Sequence, residues 1–277
     1  MISKKEAREI LKDFSFIAEK VSPLLLKRQK SLAKLDIRYK DHQKAQGIVS
    51  NADEEAEELI LNYLQKKYPS IPALSEEMAH RQKLTDYRRF QKMPLCFVID
   101  PLDGTKNFVH GLDYYCISLA LSIFGRPHIG FVLRPPTGES FCAIEGEGSW
   151  LKIPPHARRK KLLVKRKNKP LSHCLFSSGL QSPRHRPKVK QTLSIRRMGC
   201  AALDLCYVAA ERFDGHISEG LSPWDVAGSA VILKEAQIII SDLEGNEFDC
   251  FGQTFLAAPQ GIYHSLQEAL KNRPIIR

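Results

Sequence analysis

Asp100 and Asp103 stand three residues apart in the run VIDPLDGTKNF (98–108), on either side of Pro101 and Leu102 and directly ahead of Gly104 and Thr105. The apolar residues before Asp100 read as a buried strand that ends there. An ionised carboxylate in such a place must be neutralised, paired or bound to metal, because burying it alone is far too costly. Lys106 is the nearest cation in the sequence and lies beyond the turn. A hard divalent cation is the natural partner, and Mg2+ takes carboxylate and carbonyl oxygens while keeping some of its waters. Pro101 fixes the turn, Gly104 permits a tight backbone and Thr105 adds a hydroxyl. An ordinary acidic turn would explain DPLDG equally well. Three more stretches carry acids. LSEEM (74–78) offers Glu76 and Glu77 behind an apolar stretch. SPWDVAG (222–228) offers Asp225 behind Trp224, and VSNAD (49–53) offers Asp53. Both aspartates open a helical pattern, where an acid also serves as a cap or dipole partner. No Ser/His/Asp or Cys/His nucleophile set is apparent, and His110 reads as structural rather than as an acid or base.

These acids need elements to carry them. Ile10, Leu11, Phe14, Ile17, Ala18 and Val21 have helical spacing, which predicts a helix up to about Leu35. DIRYKDHQKAQG (36–47) reads as a loop or hairpin. Asn51 and Glu54 have the spacing of a capping box, and Ala56, Leu59, Ile60, Tyr63 and Leu64 form the stripe of a helix that ends before Pro69. YYCISLALSIF, HIGFVLRP and ESFCAIEG, divided by GRP and PPTG, read as an antiparallel meander that GSWL closes. Further on, HCLFSS, LSIRR and QIIISD read as strands, and CAALDLCYVAAERF and WDVAGSAVILKEA as helices. Runs of strands and runs of helices, without strict alternation, point to an α+β fold. We expect an N-terminal lobe over 1–150 and a C-terminal lobe over 151–277, forming one catalytic unit.

The chain has 277 residues and 43% hydrophobic content, enough for a sizeable core. No apolar run reaches the ~20 residues of a membrane span. The charged start MISKKEAREILKDF has no secretory pattern, so a cytoplasmic protein is expected. Seven cysteines are scattered singly, with no CxxC pair, and read as reduced core residues rather than as a metal or thiol site. The net charge is +11, but 15 Lys and Arg and no acid fall between Leu151 and Arg197, leaving the rest of the chain at −4. The segment ARRKKLLVKRKNK lacks the aromatics that would stack on bases. It reads as a solvated face, and steering of anionic substrates or binding of RNA or a protein partner are its other uses.

LSEEM, VIDPLDGTKNFVHG and LSPWDVAGSAVILKEA, in this order and spacing, resemble the inositol monophosphatase family of Mg2+-dependent, lithium-sensitive phosphatases over about Ile48 to Leu243. GCAALDLCYVAAERFDG (199–215) resembles that family's helix before the tryptophan motif. The resemblance implies a layered α-β-α-β-α architecture, shared with fructose-1,6-bisphosphatase, and a homodimer. It implies two or three Mg2+ held by Glu76, Asp100, the Leu102 carbonyl, Asp103 and Asp225. It gives Asp53, Glu76 and Thr105 catalytic roles, with Asp53 and Thr105 orienting the attacking water. Substrate contacts are implied at Gly104, Thr105, Gly199, Cys200, Ala201, Glu219 and Asp225. Three features depart from the pattern. Lys106 is typical of related nucleotide bisphosphate phosphatases, Ser218 stands where the family often has an acid, and the 179–197 region is short. The expected activity is hydrolysis of inositol 1-phosphate. The alternatives are a 3′(2′),5′-bisphosphate nucleotide or fructose 1,6-bisphosphate as substrate, or a protein that binds RNA or a transcription complex through the basic segment.

Overall fold

The computed structural model of the chain describes residues 2–39, 48–84, 86–155, 158–165, 168–180 and 194–271. Helix α1 (Lys4–Gln29) begins with a Ser3–Glu6 capping box and buries Ala7, Ile10, Phe14, Ile17, Ala18, Val21 and Leu25. It stops short of Leu35, and residues 32–34 form a single 3-10 turn instead. Strands β1 (Ile37–Tyr39) and β2 (Ile48–Ser50) pair antiparallel, so the polar stretch is a hairpin whose tip lies outside the described residues. Helix α2 (Asn51–Lys67) follows β2 directly. Its stripe holds at Ala56, Ile60 and Leu64, whereas Leu59 is exposed.

The next elements are β3 (Ala73–Ser75), α3 (Glu76–Arg81), α4 (Arg88–Gln91), β4 (Cys96–Asp103) and α5 (Thr105–Val109). The expected meander is β5 (Cys116–Ile123), β6 (Arg126–Arg134), β7 (Glu139–Ile144) and β8 (Gly148–Lys152), and β9 (Lys160–Leu162) extends it. These strands make a seven-stranded sheet in the order β3-β4-β5-β6-β7-β8-β9, antiparallel except for the parallel pair β3 and β4. The other elements are β10 (Leu175–Gly179), β11 (Ser194–Arg196), α6 (Ala201–Ala209), β12 (Gly215–Glu219), α7 (Pro223–Glu235), β13 (Ile238–Ser241), β14 (Thr254–Pro259) and α8 (Gln260–Lys271). They supply a five-stranded sheet in the order β11-β10-β12-β14-β13. Most of the 179–197 region, where a shortened helix is expected, lies outside the described residues.

Burial sorts these elements into five layers. Phe97 and Ile99 of β4 pack with α1 and α2, while Cys96 and Val98 pack with α6 and α7, as strand alternation requires. The far sides of α6 and α7 meet Ile238, Phe255 and Ala257 of the smaller sheet. Ile262, Leu266 and Leu270 of α8 cover that sheet's other face. The fold is α+β, a layered α-β-α-β-α sandwich. Helix α7 lies unusually close to the larger sheet: a Cβ on Gly130 would stand 2.1 Å from the Gly228 carbonyl oxygen. Two glycines facing each other therefore set the depth of α7, and with it the position of Asp225 in its first turn.

Candidate active site

Strand β4 does not end at Asp100, as the apolar pattern predicts. It continues to Asp103, with a shift in its pairing to β5 between these two residues, at Pro101 and Leu102. Proline has no N–H for the ladder, so the irregularity falls where the sequence demands it. Asp100 is buried, and its Oδ1 accepts the Leu102 N–H at 3.0 Å, which aligns the turn. Gly104 follows with φ +94°. A Cβ there would stand 3.0 Å from the Tyr114 carbonyl oxygen and 3.2 Å from Cys200 Cβ, so the position tolerates nothing larger.

Asp53 comes to the same place from α2. The capping box of that helix is Ser50 with Asp53, not Asn51 with Glu54. Asp53 Oδ2 accepts the Ser50 N–H at 2.9 Å and the Ser50 hydroxyl at 2.7 Å. Asp53 Oδ1 accepts from Thr105 Oγ1 at 2.9 Å, and the Leu102 carbonyl lies 3.0 Å from that same hydroxyl. Asp53 is fully buried, and burial pushes its carboxyl up to about 6, against the pull of the Ser50 bonds. Asp103 is held by α6. Its Oδ2 accepts the Ala202 N–H at 2.7 Å and the Cys200 thiol at 3.2 Å. Burial again dominates and raises Asp103 to about 6, opposed by these two donors.

Glu76 is the first residue of α3 and Asp225 sits in the first turn of α7, where its Oδ2 accepts the Ser222 N–H at 2.7 Å. Both reach the strand end electrostatically. Asp100 is raised well above the ordinary carboxylate range by burial first, then by the charges of Glu76, Asp103 and Asp225. Glu76 also acts on Asp53 and Asp103. The five predicted acids therefore interact as one cluster, although they come from four separate stretches of sequence. The donors they offer, with the Leu102 carbonyl, are all oxygens. That set, carrying mutual repulsion in a buried place, fits a hard divalent cation.

The other expected residues fall at two distances from this cluster. Gly199, Cys200 and Ala201 form the entry to α6 and adjoin Asp103, with Gly199 at φ +78°. Ser218 is fully buried on β12, and its hydroxyl has no hydrogen-bond partner among the described residues. Glu219, the next residue, is partly exposed. Successive strand residues point to opposite faces, so an acid at 219 does not present itself where a side chain at 218 would. His110 Nδ1 donates to the Lys106 carbonyl at 2.8 Å and closes the last turn of α5, the structural use expected of it. Two further residues hold the site together through hydrogen bonds that the sequence does not announce. Asn107 Nδ2 donates to the Tyr114 carbonyl at 2.7 Å and to the Met198 carbonyl at 2.8 Å, which ties the β4 turn to the entry of α6. Buried Glu57 accepts the Met78 N–H at 2.9 Å and pairs with Arg81, which fixes α3 on α2. Glu57 carries a faint signal, four residues beyond Asp53 on one helix face, and Asn107 falls inside VIDPLDGTKNFVHG, though its partners Tyr114 and Met198 cannot be read from that motif.

Comparison with known proteins agrees with this geometry. The family model described as the inositol monophosphatase family matches residues 6–273. The Nus factor SuhB of Pasteurella multocida is 34% identical over 224 residues, covering 76% of this chain and 78% of its own. Inositol monophosphatase 1 of Solanum lycopersicum is 32% identical, over 81% of this chain and 82% of its own. The crystal structure of the extragenic suppressor protein suhB from Bartonella henselae superposes with a TM-score of 0.80 at 30% identity, covering 95% of this chain and 99% of its own. A match over nearly the whole chain, on a fold that gathers the motif acids at one strand end, makes this chain a member of the inositol monophosphatase family.

Proposed function

We propose that the chain is a Mg2+-dependent phosphomonoesterase that acts as a homodimer and prefers inositol 1-phosphate. The observation that carries the proposal is the convergence of Glu76, Asp103 and Asp225, all oxygen donors, on buried Asp100; burial and their charges push its carboxyl well above the ordinary range. Glu76, Asp100, the Leu102 carbonyl, Asp103 and Asp225 would hold the cations. When bound, divalent cations neutralise phosphate charge and make water a stronger nucleophile. The chain's own part is to manage the proton. With its proton directed at Asp53, the Thr105 hydroxyl turns its lone pairs outward, towards an incoming water. That water passes its proton to Thr105 Oγ1 while Thr105 passes its own to Asp53 Oδ1. Burial makes the Asp53 carboxyl a readier proton acceptor than a free aspartate. Asp53 stays in place because Ser50 holds its other oxygen. The backbone of Gly104 and Thr105, and the entry of α6 at Gly199, Cys200 and Ala201, would receive the phosphate.

NFVHG (107–111) and the 199–215 stretch favour a polyol phosphate, and Lys106 alone favours a nucleotide bisphosphate. Ser218 provides no charged partner for a polyol hydroxyl. A lost charged hydrogen bond is worth ~1.5–3 kcal/mol, so discrimination among polyol phosphates should be loose. Phosphate release measured on inositol 1-phosphate, 3′-phosphoadenosine 5′-phosphate and fructose 1,6-bisphosphate, with and without Mg2+, tests the assignment. The highest kcat/KM is expected on inositol 1-phosphate with Mg2+. A higher value on either bisphosphate, or equal rates without any divalent cation, would overturn it. Light scattering behind a sizing column checks the dimer. A second reading draws on the basic 151–197 segment and on the name Nus factor borne by the Pasteurella multocida relative. In that reading the chain also binds RNA or transcription machinery.

A further inference from the structure

Cys116 and Cys200 are 84 positions apart in the sequence, yet their sulfurs lie 3.5 Å apart. Cys116 opens β5 directly across the strand pair from Asp103. Cys200 caps the N-terminus of α6, and its thiol donates to Asp103 Oδ2 at 3.2 Å. The two sulfurs and a carboxylate oxygen of Asp103 all lie within 4.8 Å of one another. Both cysteines are buried, and Asp103, at 9% exposure, is the member of the trio nearest to solvent.

We infer that Asp103, Cys116 and Cys200 form a second cation site, selective for a thiophilic ion such as Zn2+ or Cd2+ and distinct from the all-oxygen cluster. Buried cysteines commonly pack as small apolar groups. That role does not require a carboxylate among them, and here one accepts a thiol's hydrogen bond. Tetrahedral zinc with two sulfurs and one oxygen sets neighbouring donors ~3.6–3.8 Å apart, given metal–donor distances near 2.3 and 2.1 Å. The observed 3.5 and 3.2 Å are a few tenths of an ångström short of this, and the third edge, from Cys116 to the Asp103 oxygen, is within 4.8 Å. A disulfide is a poorer use of the same pair. It would require the sulfurs to close from 3.5 Å to ~2.05 Å and a two-electron oxidant. A divalent ion, by contrast, needs no oxidant, and Asp103 is the most exposed of its three ligands. It takes the place of the two thiol protons, which leave to solvent, and water completes the coordination. Thiolates favour zinc and cadmium over magnesium, so the two neighbouring sites sort cations by softness. Asp103 belongs to both. An ion on the sulfurs therefore draws that carboxylate away from the oxygen cluster and inhibits turnover. This last consequence rests on the phosphatase reading; the binding does not.

The test is a Cd2+ titration of the full-length reduced protein in excess Mg2+, followed by the ultraviolet charge-transfer absorbance of cadmium thiolate. A single saturable step is expected. Cys116→Ala should abolish it while leaving the melting curve in Mg2+ close to the parent's. In the same variant, inhibition of Mg2+-dependent phosphate release should need about tenfold more Zn2+ or beyond, since weakening a metal's surroundings costs at least that in affinity. Absence of the absorbance in the parent protein, or its persistence in Cys116→Ala, would overturn the site. Should Cys116→Ala melt well below the parent, Cys116→Ser, which keeps the size of the side chain, is read by the same criterion. Failure of phosphate release in every protein would count against the phosphatase reading and leave the absorbance result standing.

Discussion

Asp100 sits where four acids and burial act together, so removing its charge has two opposite effects. Asp100→Asn takes away a cation ligand and should abolish Mg2+-dependent phosphate release. It also relieves repulsion from Glu76, Asp103 and Asp225, so the metal-free variant should melt no lower than the parent, as calorimetry can show. Asp53 and Asp103 make the metal-free protein sensitive to pH. Their folded values of about 6 lie above the ordinary 3.8 of a free aspartate. A carboxyl raised by folding favours the folded state while protonated. That contribution is complete below the unfolded value and is lost as pH rises through the folded one. The metal-free protein should therefore lose melting temperature between about pH 4 and pH 7 through these two groups, and Asp53→Asn should flatten that slope. Mg2+ affinity should rise over the same interval, because the cation replaces protons. A steeper slope in Asp53→Asn would contradict the assignment.

Helices α2, α3, α6 and α7 each deliver one or two side chains to the end of β4, and their anchoring decides how well the cluster is kept. Glu57 anchors α3, the helix that carries Glu76. Glu57→Gln retains an acceptor for the Met78 N–H but loses the ion pair with Arg81. The Mg2+ concentration for half-maximal rate should rise severalfold, with a smaller change in kcat at saturation. Glu57→Ala also strands the half-buried Met78 N–H and should cost ~1–3 kcal/mol in thermal stability. At α7 the contact is glycine on glycine, and Gly130→Ala should destabilise by ~1–3 kcal/mol through overpacking. These anchors show what the sequence could and could not say. Carboxylates at strand and helix ends were legible, because residue type and spacing carry that chemistry locally. The capping box of α2 was legible to within one residue: Ser50 and Asp53 have the same spacing as Asn51 and Glu54. The length of β4 was misjudged because Pro101 suggests a stop, whereas pairing with β5 carries the strand on to Asp103. The Gly130–Gly228 contact and the Cys116–Cys200 pair join residues about a hundred positions apart, and no local pattern encodes such meetings.

Across the whole molecule, the basic residues around β9 and the acidic cluster lie on different parts of the larger sheet. Arg158, Arg159, Lys160 and Lys161 are exposed, at and just before β9. Strand β9 is one edge of the sheet, and β4, which carries Asp100, is next to the other. Five strand spacings of ~4.8 Å separate them, roughly 24 Å. That is about three Debye lengths at physiological salt, where the field of exposed charges is largely screened. Steering of a phosphate ester, attractive from the sequence alone, is therefore a weak use for these four residues. Arg196 and Arg197 differ, since they run directly into Met198 and Gly199, where Asn107 ties the entry of α6 to the β4 turn. Neutralising Arg158, Arg159, Lys160 and Lys161 together should leave kcat/KM within about twofold of the parent at physiological salt. Changing Arg196 and Arg197 to Gln should lower it and leave kcat nearly unchanged. Binding of single-stranded RNA to the parent and to the quadruple variant separates the remaining uses. If the four cations meet four phosphates, the logarithm of affinity should fall against the logarithm of salt with a slope near −3, and that slope should vanish in the variant. Equal RNA binding by both proteins would leave the β9 charges as a solvated edge, whose lysines keep an open strand from pairing with a neighbour.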